Sequence, residues 1–123
     1  MIWDVEKKCC ISQNPFFARQ WIHRLRGMIG RKFHPETLDA MVFMNCNSIH
    51  SMWMTIPLDI LFLDCSQTVA ALRENYRPWS FPAFCRQAET VIELPAGTIS
   101  RFHIETGDHL DLNADLSKKY LKI

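Results

Sequence analysis

The chain has 123 residues, of which 48% are apolar, 11% aromatic and 22% charged, and its formal net charge is +1. That length suits one domain with a real core, and the composition excludes a disordered chain. The near-neutral charge supplies no global field to draw the protein to nucleic acid or anionic lipid, so any such binding would need a local patch.

Asp4, Glu6, Lys7 and Lys8 interrupt the N-terminus before an apolar run long enough for a signal peptide. The longest apolar stretches, such as Ile60-Leu61-Phe62-Leu63, are too short to cross a bilayer. The expectation is a cytoplasmic protein without a membrane span. Five cysteines, two of them adjacent and none in a Cys-x-x-Cys, do not make a disulfide framework. They are expected to be reduced thiols acting as small hydrophobes.

In chain order, residues 5–11 suggest a first short strand, ended by the turn-prone Ser12-Gln13-Asn14-Pro15. Phe17, Trp21, Leu25 and Met28 recur every three or four residues, which predicts a helix over 16–28, ended by Gly27 and Gly30. Strands are predicted at 40–44, 49–54, 58–64 and 68–73, followed by a Pro-interrupted aromatic loop over 76–82. A further strand at 90–94 is broken by Pro95-Ala96-Gly97; a short second helix over 98–104 and a last strand at 109–112 follow. With no repeat or linker, this reads as one mostly β domain over residues 1–123, an antiparallel sandwich or barrel with an N-terminal helix, a short second helix and a peripheral tail over 113–123. A parallel βαβ arrangement is disfavoured, because helical segments do not alternate with the strands.

Three runs, taken in order, carry a resemblance. They are Arg24-Leu25-Arg26-Gly27-Met28-Ile29-Gly30-Arg31, then residues 49–64 with Met54-Thr55-Ile56-Pro57-Leu58-Asp59, then Val91-Ile92-Glu93-Leu94-Pro95-Ala96-Gly97 leading to Gly107-Asp108. Together they resemble the prokaryotic family called domain of unknown function 192, over about residues 20–112. The resemblance implies a compact, mostly β domain and no established activity. Ala40 stands where that family usually has Gly, so the backbone there is not expected to need a positive φ.

Among residues that could carry chemistry, Asp59 alternates with Leu61 and Leu63, so its carboxylate should enter an apolar layer and need a partner. Arg31 is the first candidate for that partner and His50 the second. Glu93 shares a face with Val91 and raises the same question. Cys46-x-x-x-His50-x-x-x-Met54 resembles part of a blue-copper donor set, but no second His falls in a fitting place. No metal and no cofactor are expected. Arg19, Arg24, Arg26, Arg31 and Lys32 form a basic stretch beside Trp21, read as a solvated helix face rather than a nucleic-acid site. No nucleophile elbow, P-loop, dinucleotide fingerprint or His-Glu-x-x-His is present. The reading is therefore a binding or accessory module for an unknown small molecule or protein, its candidate ligand-binding residues Arg31, His50, Trp53, Asp59, Trp79 and Glu93. The alternative is an enzyme acting on a small ligand through His50, Asp59, Glu93 and Arg31.

Overall fold

A computed structural model describes residues 1–20, 27–51 and 54–114. Its centre is β6 (Leu58–Leu63), six consecutive buried residues, lying beside β9 (Thr90–Pro95). Strands apolar on both faces must be covered on both, and these two hold the middle of a five-stranded sheet. Its other members are β3 (Pro15–Phe17), β4 (Ala40–Met44) and β7 (Val69–Tyr76), in the order β3-β4-β9-β6-β7.

The side-chain period of two divides the core. Val42, Leu61, Leu63, Ile92 and Leu94 face one side, where a three-stranded antiparallel sheet covers them. That sheet consists of β1 (Ile2–Asp4), β2 (Cys9–Ser12) and β10 (Leu110–Asp111), and it contributes Ile2, Ile11 and Leu110. Helix α1 (Thr98–Phe102) adds Ile99 to the same side. Met41, Phe43, Ile60, Phe62 and Val91 face the other side. There they meet Met28, Met54, Ala83 and Cys85, some of which flank a two-stranded ribbon of β5 (Ser48–Ile49) and β8 (Ala83–Phe84). Each large aliphatic or aromatic side chain buried in these layers contributes roughly 1.5–3 kcal/mol relative to exposure. All five cysteines are free thiols.

Several expectations are corrected. Phe16 and Phe17 belong to β3, which pairs with β4 in parallel, so the sheet is mixed rather than purely antiparallel. The period-3.6 spacing that suggested a helix from residue 16 yields there to pairing with a buried neighbour strand. Residues 21–26 of that expected helix lie outside the described residues, and 27–30 form turns. The expected pair of helices is not borne out: α1 is the one helix among the described residues. The architecture is not a closed barrel, since the central sheet ends at β3 and β7. The strand expected over 5–11 is two strands joined by a turn over 5–8, because Ile2 and Ile11 both reach the core. Of the strand expected over 49–54, Ile49 lies in β5, residues 50, 51 and 54 are not in a strand, and 52 and 53 lie outside the described residues; β7 runs on to Tyr76, where a loop was expected.

Asp59 ties these layers together. Its Oδ1 accepts the Asn75 N–H at 2.9 Å; its Oδ2 accepts the N–H groups of Gly97 at 3.0 Å and Ile99 at 2.9 Å. Neither Arg31 nor His50 is the partner expected from the sequence. The reason is local: α1 starts after Gly97 with no side-chain cap of its own, and its first-turn donors need an acceptor. A carboxylate 40 positions away in sequence supplies it.

Candidate functional site

The face of β4 and β9 that carries Phe43 and Glu93 does not close completely. The Gly27–Ile29 turn, the segment from Cys46 to His50 and Met54 enclose, with those two residues, a cavity of about 160 Å³. Local backbone choices shape it. Gly27 has φ +48°, and a Cβ there would stand 3.4 Å from the Phe43 ring, so glycine lets the turn close over that ring. Asn45, at φ 54°, swings the chain out of β4. The next residue is then held by the Cys46 N–H donating to the Glu89 carbonyl at 3.0 Å and the Cys46 thiol donating to the Ser48 carbonyl at 3.1 Å.

Met28, Ile29, Phe43, Ile49 and Met54 give the cavity walls of carbon and sulfur. Glu93 is the one acidic residue among the described lining residues. It is 4% exposed, and its Oε2 is buried without a hydrogen-bond partner among the described residues. Burial pushes its carboxyl up to about 8, so the neutral acid predominates at pH 7. Asp4 Oδ2, on the other side of the central sheet, is likewise buried without a hydrogen-bond partner, and such atoms are rare in a folded protein.

The residues singled out from the sequence divide as follows. Glu93 and His50 line the same cavity, His50 at its exposed rim. Cys46 and Met54 join them, so the Cys46–His50–Met54 spacing converges on one space. Asp59 points to the other face of the sheet, into the α1 backbone. The Arg31 guanidinium stands 5.7 Å from the Phe16 ring centroid. Trp79 is 60% exposed on the aromatic loop, near Phe81 at 90% and Phe84 at 63%, and its N–H donates to the Ser51 carbonyl. Trp53 lies outside the described residues.

The sequence reading did not single out Gly27, Met28 or Phe43 as cavity residues. The signal was nevertheless there. Each of the three sequence runs that carry the family resemblance delivers residues to this cavity: Gly27, Met28 and Ile29 from the first, Ile49, His50 and Met54 from the second, Glu93 from the third.

Among the described residues, one set of three His, Cys, Asp or Glu ligand atoms lies within 4.8 Å of one another, namely Asp4, Glu6 and Asp108. Lys7 Nζ already sits there, 3.0 Å from Asp108 Oδ1. Burial and the hydrogen bond to Asp108 raise the Asp4 carboxyl to about 7. Asp108 is held low despite its burial, because Asp4, the Glu105 N–H and Lys7 all hydrogen-bond to it. This is a neutralised clasp between β1 and the turn before β10.

Fold and cavity define a mostly β, open-sheet protein in which Glu93 is the one acidic residue among the described cavity-lining residues. The chain matches the family described as Uncharacterized ACR, domain of unknown function 192, over residues 14–112, and it belongs to that family. The family has no established activity. Curated relatives include a UPF0127 protein of Thermococcus sibiricus, 39% identical over 76% of this chain and 62% of its own length. Another, from Pyrococcus furiosus, is 31% identical over 79% of this chain and 84% of its own. The chain thus spans less than two thirds of the Thermococcus protein. Among solved structures, a protein of unknown function from Novosphingobium aromaticivorans shares the fold at TM-score 0.69 and 23% identity, over 79% of this chain and 73% of that one. A Sinorhizobium meliloti protein, provisionally assigned as a transcription regulator, aligns at TM-score 0.70 and 27% identity over 79% of both chains. No helix among the described residues is long and apolar enough to cross a membrane.

Proposed function

We propose that the protein is a single-domain binding module that holds a small ligand in the Glu93 cavity. The observation that carries this reading is a cavity of about 160 Å³ lined by Met28, Phe43 and Met54, with the buried acid Glu93 in its wall. A cavity near 150 Å³ accommodates a benzene-sized molecule. The 160 Å³ here therefore suits a largely apolar ligand. The convergence of all three family-like sequence runs on this space supports the same reading.

Dispersal of the four-residue cluster weighs against the enzyme alternative. His50 and Glu93 share the cavity, whereas Asp59 is committed to backbone donors on the opposite face. A nucleic-acid role finds little support: net charge is +1, and Arg19 and Arg31 lie over the rings of Phe17 and Phe16.

Methyl-labelled methionine NMR tests the proposal. Small amides, ketones and amines are titrated while the Met28 and Met54 methyls are followed. Saturable shifts confined to those methyls and to the neighbours of Phe43 and Glu93 are expected for at least one class. No saturable shift from any class would overturn the reading and leave the cavity to water.

A further inference from the structure

None of residues 77–87 is among the described residues that line the Glu93 cavity. We infer that this aromatic segment is a docking tip for an anionic lipid surface, residues 79–84 entering the headgroup layer while Arg77 and Arg86 meet its negative charge. Every exposed aromatic side chain among the described residues falls within those six positions: Trp79, Phe81 and Phe84. Six residues span at most about 20 Å even when fully extended, so the three belong to one small area of surface.

The segment is built rather than loose. Trp79 has φ 62°, a left-handed conformation that is costly for a bulky side chain and persists only where its surroundings impose it. Those surroundings are buried. The Trp79 N–H donates to the Ser51 carbonyl at 3.1 Å, and the Ser80 N–H to Ser51 Oγ at 2.7 Å. The Tyr76 hydroxyl donates to the Phe81 carbonyl at 2.8 Å, and both Ser51 and Tyr76 are buried. Pro78 and Pro82 fix two further φ angles. The fold thus holds a strained turn in place and leaves Phe81 90% exposed at its crest. A backbone ordered in advance loses little entropy when it docks.

Charge selects the partner. Between Glu74 and Glu89 the chain carries Arg77 and Arg86, both exposed, and no acidic residue. The stretch that pairs with it through β5 is acid-free as well, from residue 40 to residue 58. A chain of net charge +1 therefore still presents a local basic and aromatic patch. Aromatic rings beside Arg are the composition that settles at a membrane–water interface. The three rings offer roughly 400 Å² between them, about half of what each partner contributes to a stable protein pair. A fluid lipid surface needs no shaped complement to a protruding side chain such as Phe81.

Co-sedimentation with vesicles tests the inference on the full chain. One vesicle is phosphatidylcholine alone, the other phosphatidylcholine with an equal part of phosphatidylserine. The wild type should bind the second and bind the first far more weakly. Phe81→Ser, at a fully accessible position, should keep the fold and weaken binding about tenfold or more. Arg77→Gln combined with Arg86→Gln should weaken it to a similar extent, as should raised salt on the wild type. No binding to either vesicle would overturn the inference, and so would Phe81→Ser binding like the wild type. Equal binding to both vesicles would overturn the role of the two arginines. Sedimentation velocity without lipid reads the competing occupant: a dimer that Phe81→Ser disperses, with no vesicle binding, would assign the tip to a second copy of the chain instead.

Discussion

Asp59 and Glu93 lie one register step apart across the β6–β9 ladder and point to opposite faces of the sheet. Asp59 pairs with Leu94, and Glu93 with Ile60. Both side chains are almost wholly buried. Asp59 accepts three backbone N–H groups, whereas Glu93 Oε2 has no hydrogen-bond partner among the described residues. One carboxyl is consumed by the fold and the other is left over, which separates the structural acid from the candidate binding acid.

Removing the structural acid should be costly. Asp59→Asn keeps the shape but turns an N–H toward one of the backbone donors, and should lower unfolding free energy by about 2 kcal/mol. Asp59→Ala strands the donors of Asn75, Gly97 and Ile99 and should lose more, on the order of 3–4 kcal/mol. Urea unfolding of both variants checks this, and wild-type midpoints would contradict it.

Gly97 is coupled to the same acid. Its φ of 96° is one that L side chains rarely adopt, yet no atom lies within 4 Å of a Cβ built there. Gly97→Ala should therefore be destabilising through backbone strain alone, by about 1–2 kcal/mol. Combined with Asp59→Ala, its cost should be less than additive, because both changes disturb the same contact; a double-mutant cycle reads this directly.

The binding acid should show in the pH dependence of stability. Glu93 has an ordinary value of 4.5 and is raised to about 8 in the fold. Between those values the folded state holds the proton more tightly than the unfolded chain, so stability falls as pH rises. Asp4, raised from 3.8 to about 7, adds to the same trend up to its own value. Glu93→Gln should flatten the curve between pH 4.5 and 8 by up to about 1.4 kcal/mol per pH unit. A variant curve parallel to that of the wild type would show that Glu93 is not held neutral.

Lys7 should matter most at high pH. Its ammonium lies 3.0 Å from Asp108 Oδ1 and 3.6 Å from Glu105 Oε2. In Lys7→Met the Asp4–Asp108 pair loses that cation and resists carrying two negative charges. The variant should be destabilised more at pH 8 than at pH 5, measured by thermal unfolding in matched buffers. A loss independent of pH would assign Lys7 a packing role instead.

Much of the central sheet was legible in the sequence, because near-continuous apolar runs over 40–44, 58–63 and 90–94 have few other ways to be buried. β3 was misread, because Phe16 and Phe17 fit a helical spacing equally well and only the parallel pairing with β4 decides between them. The burial of Asp59 could be read from its neighbours, but its partners could not. Every residue except proline carries an N–H, and nothing in the side chains of Asn75, Gly97 or Ile99 marks theirs as unmet. The candidate site was legible only in fragments. His50 and Glu93 stood out as polar residues among apolar ones, whereas Met28 and Phe43 look like any other core residues until the turn at Gly27 brings them to the same space.

A high-resolution crystal structure of the chain soaked with butyramide tests the central claim most directly. The account predicts the amide ordered in the cavity, in contact with Met28, Phe43 and Met54. A cavity that instead holds only ordered water, with butyramide absent or bound elsewhere, would contradict it.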